Sequence, residues 1–119
     1  MILDIQTVHH LNCNEIILKG QALSSHEFKP LDEKVEELLK NGESNLIINL
    51  KEVKLLNSLG INALIKTFTK CRNQGGDLYI VNISDKISQV LLLTKLNTVL
   101  NIAPSLNDAI NQFATEHES

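Results

Sequence analysis

Residues 45–84 read NLIINLKEVKLLNSLGINALIKTFTKCRNQGGDLYIVNIS and show the clearest secondary-structure pattern in the chain. The stretch opens with a short apolar run at 45–50 and closes with another at 77–81, and such runs are typical of buried strands. Between them, four apolar residues from Ile61 to Phe68 recur at i, i+3, i+4 and i+7, which is the spacing of one helical face. Gly75 and Gly76 are expected to end this helix. The order strand, helix, strand predicts a parallel crossover.

The residues before this stretch predict a β-hairpin followed by a helix. Apolar residues within 1–8 and 15–19 indicate two strands, and the polar segment 9–14 between them is short enough for a hairpin loop. A helix is expected around 31–39, with Pro30 in its first turn, where a missing N–H has no consequence. Asn41 and Gly42 should end it.

The residues after it predict two more helices and one more strand. Ser84 is suited to cap a helix because its hydroxyl can accept a hydrogen bond from a free backbone N–H. The predicted elements are a helix at 85–93, a strand at 98–102 and a helix at 106–113. The sequence thus predicts an α/β fold with a mixed sheet of four or five strands, opened by a hairpin, and about four helices.

Length and composition indicate one domain that spans residues 1–119. The chain is 43% hydrophobic, which is enough for a sizeable core, and its formal net charge is -3. An acidic chain with only 3% aromatic residues is a poor candidate for nucleic-acid binding. The longest apolar runs, such as 91–93, are far shorter than a bilayer span, and Asp4 and Gln6 interrupt the segment where a signal sequence would lie. We therefore expect a cytoplasmic protein without membrane insertion.

Residue types with catalytic or metal-binding chemistry occur without the spacing that such chemistry requires. Cys13 and Cys71 form no CxxC pair and are interpreted as buried, inert thiols, although the sequence does not exclude a disulfide. The four histidines lack metal-ligand spacing, and no GxSxG motif is present. The sequence therefore predicts no enzyme activity, no metal and no cofactor. A small-molecule or nucleotide-binding domain is a distant alternative.

Three loops follow the predicted parallel strands, and function gathers at such positions in open α/β sheets. They are residues 20–25, 51–58 and 82–85. Ser58 stands where the middle loop meets its helix, and its hydroxyl is expected to cap that helix. A phosphoryl group on Ser58 would meet the positive end of the helix dipole, so the position is compatible with a phosphoserine.

The stretch 45–84 resembles the core of the STAS domain, the family of bacterial anti-sigma factor antagonists. The family pattern is a buried strand, a short loop, Asp-Ser-Ser/Thr-Gly-Leu at the start of a helix, then Gly-Gly and another buried strand. In this chain the tetrad Asn57-Ser58-Leu59-Gly60 takes the place of the family motif. The resemblance extends from Gly20 to the last helix and so covers nearly the whole chain.

This resemblance implies a partner-switching protein that is regulated by phosphorylation. In phosphorylated members, an anti-sigma factor that is itself a serine kinase modifies the serine at the position of Ser58, and a serine phosphatase reverses the modification. The resemblance thus implies a bacterial phosphoprotein that takes part in transcription regulation through protein–protein interaction. The residues expected in the switch loop and at the partner-binding edge are Asn57, Leu59, Gly60, Gln21, Ser24, Ser25 and Ser84.

Several positions depart from the family pattern and keep a second interpretation open. Asn57 replaces an aspartate, Leu59 replaces a small hydroxyl residue, and Gln21 lies in a segment that lacks the acidic residues of the family. Leu59 could face a partner or turn into the core, and Lys95 stands where the family commonly has glycine. The alternative function is a non-phosphorylated STAS scaffold or a subunit of a transport complex. The oligomeric state, a homodimer included, stays open.

Overall fold

A computed structural model describes residues 4–20, 25–54 and 56–118, which form five strands and four α-helices. The strands are β1 (Asp4–His9), β2 (Asn14–Lys19), β3 (Asn45–Glu52), β4 (Asp77–Val81) and β5 (Asn101–Ala103). The helices are α1 (Lys29–Lys40), α2 (Ser58–Asn73), α3 (Asp85–Leu93) and α4 (Leu106–Glu118). Short 3-10 turns occupy Ser25–Phe28 and Leu96–Thr98.

The strands form one mixed sheet in the order β1-β2-β3-β4-β5. β1 and β2 pair antiparallel, with Val8 opposite Glu15, and the remaining neighbours pair parallel. The predicted hairpin and the predicted parallel pairing of β3 with β4 are therefore confirmed. Residues 1–3, which were predicted to begin the first strand, lie outside the described residues.

Alternation along the central strands builds a core on each face of the sheet. Leu46, Ile48 and Leu50 of β3 point to the face that α1, α2 and α3 cover, where they are fully buried. Ile47 points to the other face and packs in a second cluster with Phe113 of α4. Because both faces are covered, the strand reads as the continuous apolar run typical of a parallel sheet.

The structure confirms the helix ends that were predicted from proline and glycine residues. Pro30 lies in the first turn of α1, and Gly42 follows that helix with a φ of 79°. After α2, Gly75 has a φ of 84°, a left-handed conformation that glycine adopts without strain. At Gly76 a Cβ atom would come within 2.0 Å of the Ser44 carbonyl oxygen, so the close approach of these two loops requires glycine.

Two boundaries near the C-terminus differ from the prediction. The strand predicted at 98–102 begins at Asn101, because residues 96–98 form a 3-10 turn whose Leu96 carbonyl accepts from the N–H of Leu100. Local hydrogen bonds of this kind compete with strand pairing. The last helix continues to Glu118 rather than ending at Phe113. Lys95 has a left-handed backbone, with a φ of 63°, at the position where the family resemblance pointed to glycine.

Candidate functional site

The carboxyl ends of β2, β3 and β4 place three loops at one edge of the sheet, because these strands run parallel. This edge, called the switch edge below, comprises the segments that follow Lys19, Glu52 and Val81. Gln21 and Ser24, which were predicted to contribute to it, lie outside the described residues. Ser25 begins the 3-10 turn that leads into α1.

The helix cap at the middle loop is Asn57 and not Ser58. Asn57 has an extended backbone, and its side-chain Oδ1 accepts a hydrogen bond from the N–H of Gly60 at 3.0 Å. The predicted capping by Ser58 is therefore wrong, since Ser58 is the first residue of α2. Asparagine and serine are about equally favoured as caps, so their order in the sequence does not reveal which of them closes the helix.

Ser58 is exposed at the start of a sixteen-residue helix. Its hydroxyl is not needed as the helix cap, because Asn57 already satisfies the N–H of Gly60. The first turn of α2 carries no acidic side chain, so no carboxylate of that turn would repel a negative group on Ser58. The backbone N–H groups of this turn provide the positive end of the helix dipole. The position can therefore accept a phosphoryl group at the surface.

The two residues after Ser58 have opposite environments. Leu59 keeps 36% of its surface exposed, so its side chain lies at the surface rather than in the core. Gly60 is buried, and a Cβ atom there would come within 2.8 Å of Leu56 Cδ2 and 3.2 Å of Phe28 Cζ. Gly60 therefore allows the start of α2 to pack closely, while Leu59 adds an apolar contact surface beside Ser58.

Ser84 links the middle loop to the loop that follows β4. Its hydroxyl donates to the Lys54 carbonyl at 2.7 Å and accepts from the N–H of Ile87 at 3.2 Å, which makes it the predicted cap of α3. Both hydrogen-bonding functions of the hydroxyl are used within the chain. The assignment of Ser84 to the partner-binding edge stays a prediction, and in this geometry Ser84 also holds two loops of the switch edge together.

A buried polar network beneath the switch edge was not found by sequence reasoning. The Asn49 amide, which is buried, donates to Glu15 Oε2 at 2.8 Å. Its Oδ1 accepts from the backbone N–H of Lys51 at 2.9 Å and from Asn82 Nδ2 at 3.2 Å. The available signal was the polar residue that interrupts the apolar run of β3, since a buried amide needs partners. The network joins the start of β2 and the interior of β3 to the residue that follows β4.

Asn82, one member of this network, has a left-handed backbone with a φ of 59°. Asparagine tolerates this conformation better than most residues because its short polar side chain can form local hydrogen bonds. The turn directs the chain from the end of β4 toward Ser84 and the start of α3. The conformation of Asn82 therefore helps to determine where the third loop lies at the switch edge.

The cysteines are two buried free thiols on opposite faces of the sheet, as the sequence analysis expected. Burial raises the pKa of Cys13 to about 11, with a smaller contribution from the Glu15 charge. Burial likewise raises the pKa of Cys71 to about 12, and the nearby Asp77 charge adds to the effect. Thiols that stay protonated are poor nucleophiles and poor metal ligands.

His9 ends β1 and His10 follows it, and each has a polar neighbour on β2. His9 Nδ1 lies 2.9 Å from Asn14 Oδ1, and His10 Nε2 lies 2.9 Å from Glu15 Oε1. Within the described residues, no three side chains of His, Cys, Asp or Glu gather into a group that could hold a metal ion. No helix in the same part of the chain is long and apolar enough to cross a bilayer.

Comparison with known proteins gives one family and a consistent set of relatives. The family model of the STAS domain matches residues 4–109. An anti-sigma-B factor antagonist of Staphylococcus aureus is 24% identical over 102 residues, which are 86% of this chain and 94% of that protein. A similar protein from Staphylococcus epidermidis, of the same description, is also 24% identical over 102 residues.

Solved structures share the fold at low sequence identity. The crystal structure of an anti-sigma factor antagonist from Mycobacterium paratuberculosis aligns with a TM-score of 0.79 and 20% identity, over 94% of both chains. The Bacillus cell fate determinant SpoIIAA in its phosphorylated form aligns with a TM-score of 0.66 and 15% identity, over 92% of this chain and 98% of that one.

Proposed function

The chain belongs to the STAS domain family, and we propose that it acts as an anti-sigma factor antagonist that switches between protein partners. The single observation that carries this proposal is the exposed Ser58 in the first turn of α2, at the edge where the loops after parallel strands meet. The relatives support it by their names, because they include anti-sigma-B factor antagonists that align over most of their length. The proposed site of action is the cytoplasm.

The regulated event in this proposal is phosphorylation of Ser58 by an anti-sigma factor that is also a serine kinase. A phosphorylated form exists for the structural neighbour SpoIIAA, which makes phosphorylation a known property of one protein of this fold. Exposure of Ser58 gives a kinase access, and the dipole of α2 favours the added negative charge. A serine phosphatase would restore the original state.

The mechanism of switching is electrostatic. Unphosphorylated antagonist would bind the kinase through the switch edge, with Leu59 contributing apolar contact and the loop held in shape by Asn57 and Ser84. Phosphorylation adds about 1.5 to 2 negative charges to this contact. Charge placed in an interface without a receiving cation weakens binding strongly, so the phosphorylated protein would dissociate.

No reaction catalysed by this chain is part of the proposal. The two thiols remain protonated at neutral pH, and both hydrogen-bonding functions of the Ser84 hydroxyl are already used within the chain. A binding role needs only a shaped surface, which the described residues of the switch edge can supply. The kinase supplies the phosphoryl transfer.

The proposal is tested by phosphopeptide mapping after incubation with ATP and each candidate switch kinase of the same genome. We expect one phosphate, on Ser58, and none in the Ser58→Ala variant. Binding of a kinase without any phosphate on Ser58 would contradict the switch and favour a STAS scaffold that holds its partner permanently. Ser105→Ala is a matched control, because Ser105 is another serine at a helix start and should not change the result.

A further inference from the structure

Glu15 is a buried acidic residue near the start of β2, away from the loops of the switch edge. It is 3% exposed, and it is the only Asp, Glu, Lys or Arg that is buried among the residues that the structure describes. A charged side chain is rarely buried without partners, because its removal from water is costly. The partners of Glu15 therefore indicate its role.

Both carboxylate oxygens of Glu15 contact a side chain that can donate a hydrogen bond. Oε1 lies 2.9 Å from His10 Nε2, and Oε2 accepts from Asn49 Nδ2 at 2.8 Å. An ionised carboxylate only accepts hydrogen bonds, so Asn49 must turn its NH2 group toward Glu15. The Asn49 side-chain oxygen then faces away from the carboxylate. Glu15 thus fixes the orientation of the Asn49 amide.

The Asn49 side-chain oxygen accepts two hydrogen bonds at the switch edge. The donors are the backbone N–H of Lys51, at 2.9 Å, and Asn82 Nδ2, at 3.2 Å. Val81, the last residue of β4, is the register partner of Asn49, so the chain leaves the sheet at Asn82 directly beside this side chain. An amide turned the other way would present its NH2 group to both donors and would lose both hydrogen bonds.

Asn82 connects this network to the loops of the switch edge. Its backbone is left-handed, a conformation that a residue other than glycine keeps only when its surroundings support it, and the hydrogen bond to Asn49 is such a support. Two residues later, Ser84 donates to the Lys54 carbonyl and accepts from the N–H of Ile87. The turn at Asn82 therefore affects both the loop before α2 and the start of α3.

We infer that Glu15 and Asn49 are positioning residues for partner binding at the switch edge. Neither needs to touch the partner, because Glu15 orients Asn49, Asn49 supports the turn at Asn82, and this turn helps to place the loops that lead into α2 and α3. A surface that is already ordered loses less conformational freedom on binding and so binds more tightly. The consequence for binding rests on the proposed function, whereas the positioning of the loops does not.

One substitution breaks the contact between Glu15 and Asn49 without removing the acceptor on the other side. Asn49→Asp keeps an oxygen for the N–H of Lys51 and for Asn82, but it sets a second carboxylate against that of Glu15. Like charges in contact repel each other strongly in a buried site. The Glu15→Gln, Asn49→Asp double variant reverses donor and acceptor, because the new glutamine can donate to the new aspartate. We expect it to restore the contact.

The same substitution at Asn101 is the matched control. Asn101 Nδ2 donates to Asp77 Oδ1 at 2.7 Å, and both residues begin their strands, at the end of the sheet opposite the switch edge. Asn101→Asp therefore also brings two carboxylates together, and it should destabilise the fold without affecting the loops of the switch edge. Circular dichroism verifies that each variant folds.

The first readout is amide hydrogen exchange, measured by NMR at Lys51 and Ile87 and compared with Ile48 in the central strand. The N–H of Lys51 reports on Asn49, and that of Ile87 reports on the start of α3. In Asn49→Asp, exchange at both should speed by at least about tenfold relative to Ile48, since local opening acts selectively whereas a loss of global stability speeds exchange everywhere. The double variant should return to within about twofold of the unmodified chain, and Asn101→Asp should leave the ratio unchanged.

The second readout is the affinity of the cognate kinase, measured by calorimetry. Asn49→Asp should weaken binding by at least about fivefold, because the loops lose their order, and the double variant should bind as the unmodified chain does. Asn101→Asp should bind normally. Absence of kinase binding by the unmodified chain would contradict the proposed function, and exchange at Lys51 and Ile87 would still decide whether the network positions the loops.

Unchanged exchange at Lys51 and Ile87 in Asn49→Asp would overturn the inference. An equal change in Asn101→Asp, or no restoration in the double variant, would also overturn it. Selective changes in exchange with normal kinase affinity would show that the positioned loops do not control binding. If Asn49→Asp does not fold, Asn82→Ala breaks only the last link: exchange at Ile87 should then speed by at least about tenfold, and normal exchange there would contradict the positioning role.

Discussion

Asn57 determines how Ser58 is presented, because it takes over the capping of α2. Its Oδ1 satisfies the N–H of Gly60, so the cap does not depend on the Ser58 hydroxyl and would survive the proposed phosphorylation. The family resemblance pointed to an aspartate at this position, and the geometry explains why asparagine is an adequate replacement. Both residues offer an oxygen at the same place, and only the charge differs.

Two replacements of Asn57 distinguish the effect of the capping hydrogen bond from the effect of a negative charge at the start of α2. Asn57→Ala should reduce the free energy of unfolding by about 1 kcal/mol, because the N–H of Gly60 loses its partner. Asn57→Asp should be at least as stable as the unmodified protein, since a carboxylate at this position accepts the same hydrogen bond and interacts favourably with the helix dipole. Urea denaturation measures both. A stable Asn57→Ala variant would mean that the cap contributes nothing.

At the residue level, the sequence indicated which residues belong to the candidate site, but it did not indicate which of them caps α2. Ser58 and Asn57 were both assigned to the switch loop, yet which of them caps the helix depends on a backbone angle that neighbouring loops determine. Gly60 was assigned to the loop, and a side chain there would require Leu56, and to a smaller extent Phe28, to shift. The side-chain hydrogen bonds of Asn49 with Glu15 and Asn82 join residues far apart in sequence, so a local sequence pattern cannot predict them.

At the level of elements, a side-chain hydrogen bond joins the start of α3 to the loop before α2. Ser84 connects them through the Lys54 carbonyl and at the same time caps α3. The cap and the bounds of α3 were predicted correctly because capping is a local signal. The bond to Lys54 spans thirty positions of sequence and could not be predicted.

Loss of the Ser84 hydroxyl should therefore affect two elements. Ser84→Ala should lower the free energy of unfolding by about 1–2 kcal/mol and speed amide hydrogen exchange at the start of α2, because the Lys54 carbonyl loses its partner. Ser105→Ala is the matched control, since Ser105 accepts from the N–H of Asp108 as a cap of α4 and does not touch α2. It should cost about 1 kcal/mol without changing exchange at α2. Equal exchange at α2 in both variants would refute the coupling.

The start of β5 differed from the prediction because local sequence patterns do not determine where a short strand begins. Residues 98–102 have the composition of a strand, but the first part of this range turns through hydrogen bonds to Lys95 and Leu96. β5 begins where the chain can pair with its parallel neighbour β4, and that pairing is not visible in the local sequence. The longer elements were predicted well because their periodicity persists over several turns or alternations.

At the scale of the whole molecule, the sheet separates two cores, and each contains one cysteine. Cys13 packs on the α4 face and Cys71 on the face of the other helices. The sequence analysis left a disulfide open, and the folded protein answers that question, because both thiols are free on opposite sides of the sheet.

This placement makes thiol chemistry a test of the fold. Both pKa values are raised by burial, from about 9 to about 11 at Cys13 and about 12 at Cys71. A thiol-specific reagent should therefore fail to modify either cysteine at about pH 8 until the protein is unfolded, when both should react. Rapid reaction of the native protein would show that the cores are not closed.

The raised pKa values of the two cysteines predict that the free energy of unfolding decreases as the pH rises above about 9. The folded pKa is higher than the unfolded one, so the stabilisation is fully present below about pH 9 and is lost as the pH rises toward 11 and 12. Urea denaturation at about pH 8 and about pH 10.5 should show a loss of stability that is smaller in a Cys13→Ala, Cys71→Ala double variant. An identical loss in that variant would assign the pH effect to other groups.

The most direct test of the proposed partner switch is the affinity of the cognate kinase for three forms of this protein, measured by calorimetry. We predict that Ser58→Ala binds as the unmodified chain does, and that Ser58→Asp binds at least about tenfold more weakly, which is about 1.4 kcal/mol. Thr69→Asp adds the same charge on the exposed side of α2, far from its first turn, and should bind normally. Equal affinity of Ser58→Asp and Ser58→Ala would contradict the account, because a negative charge at Ser58 would then not control the partner.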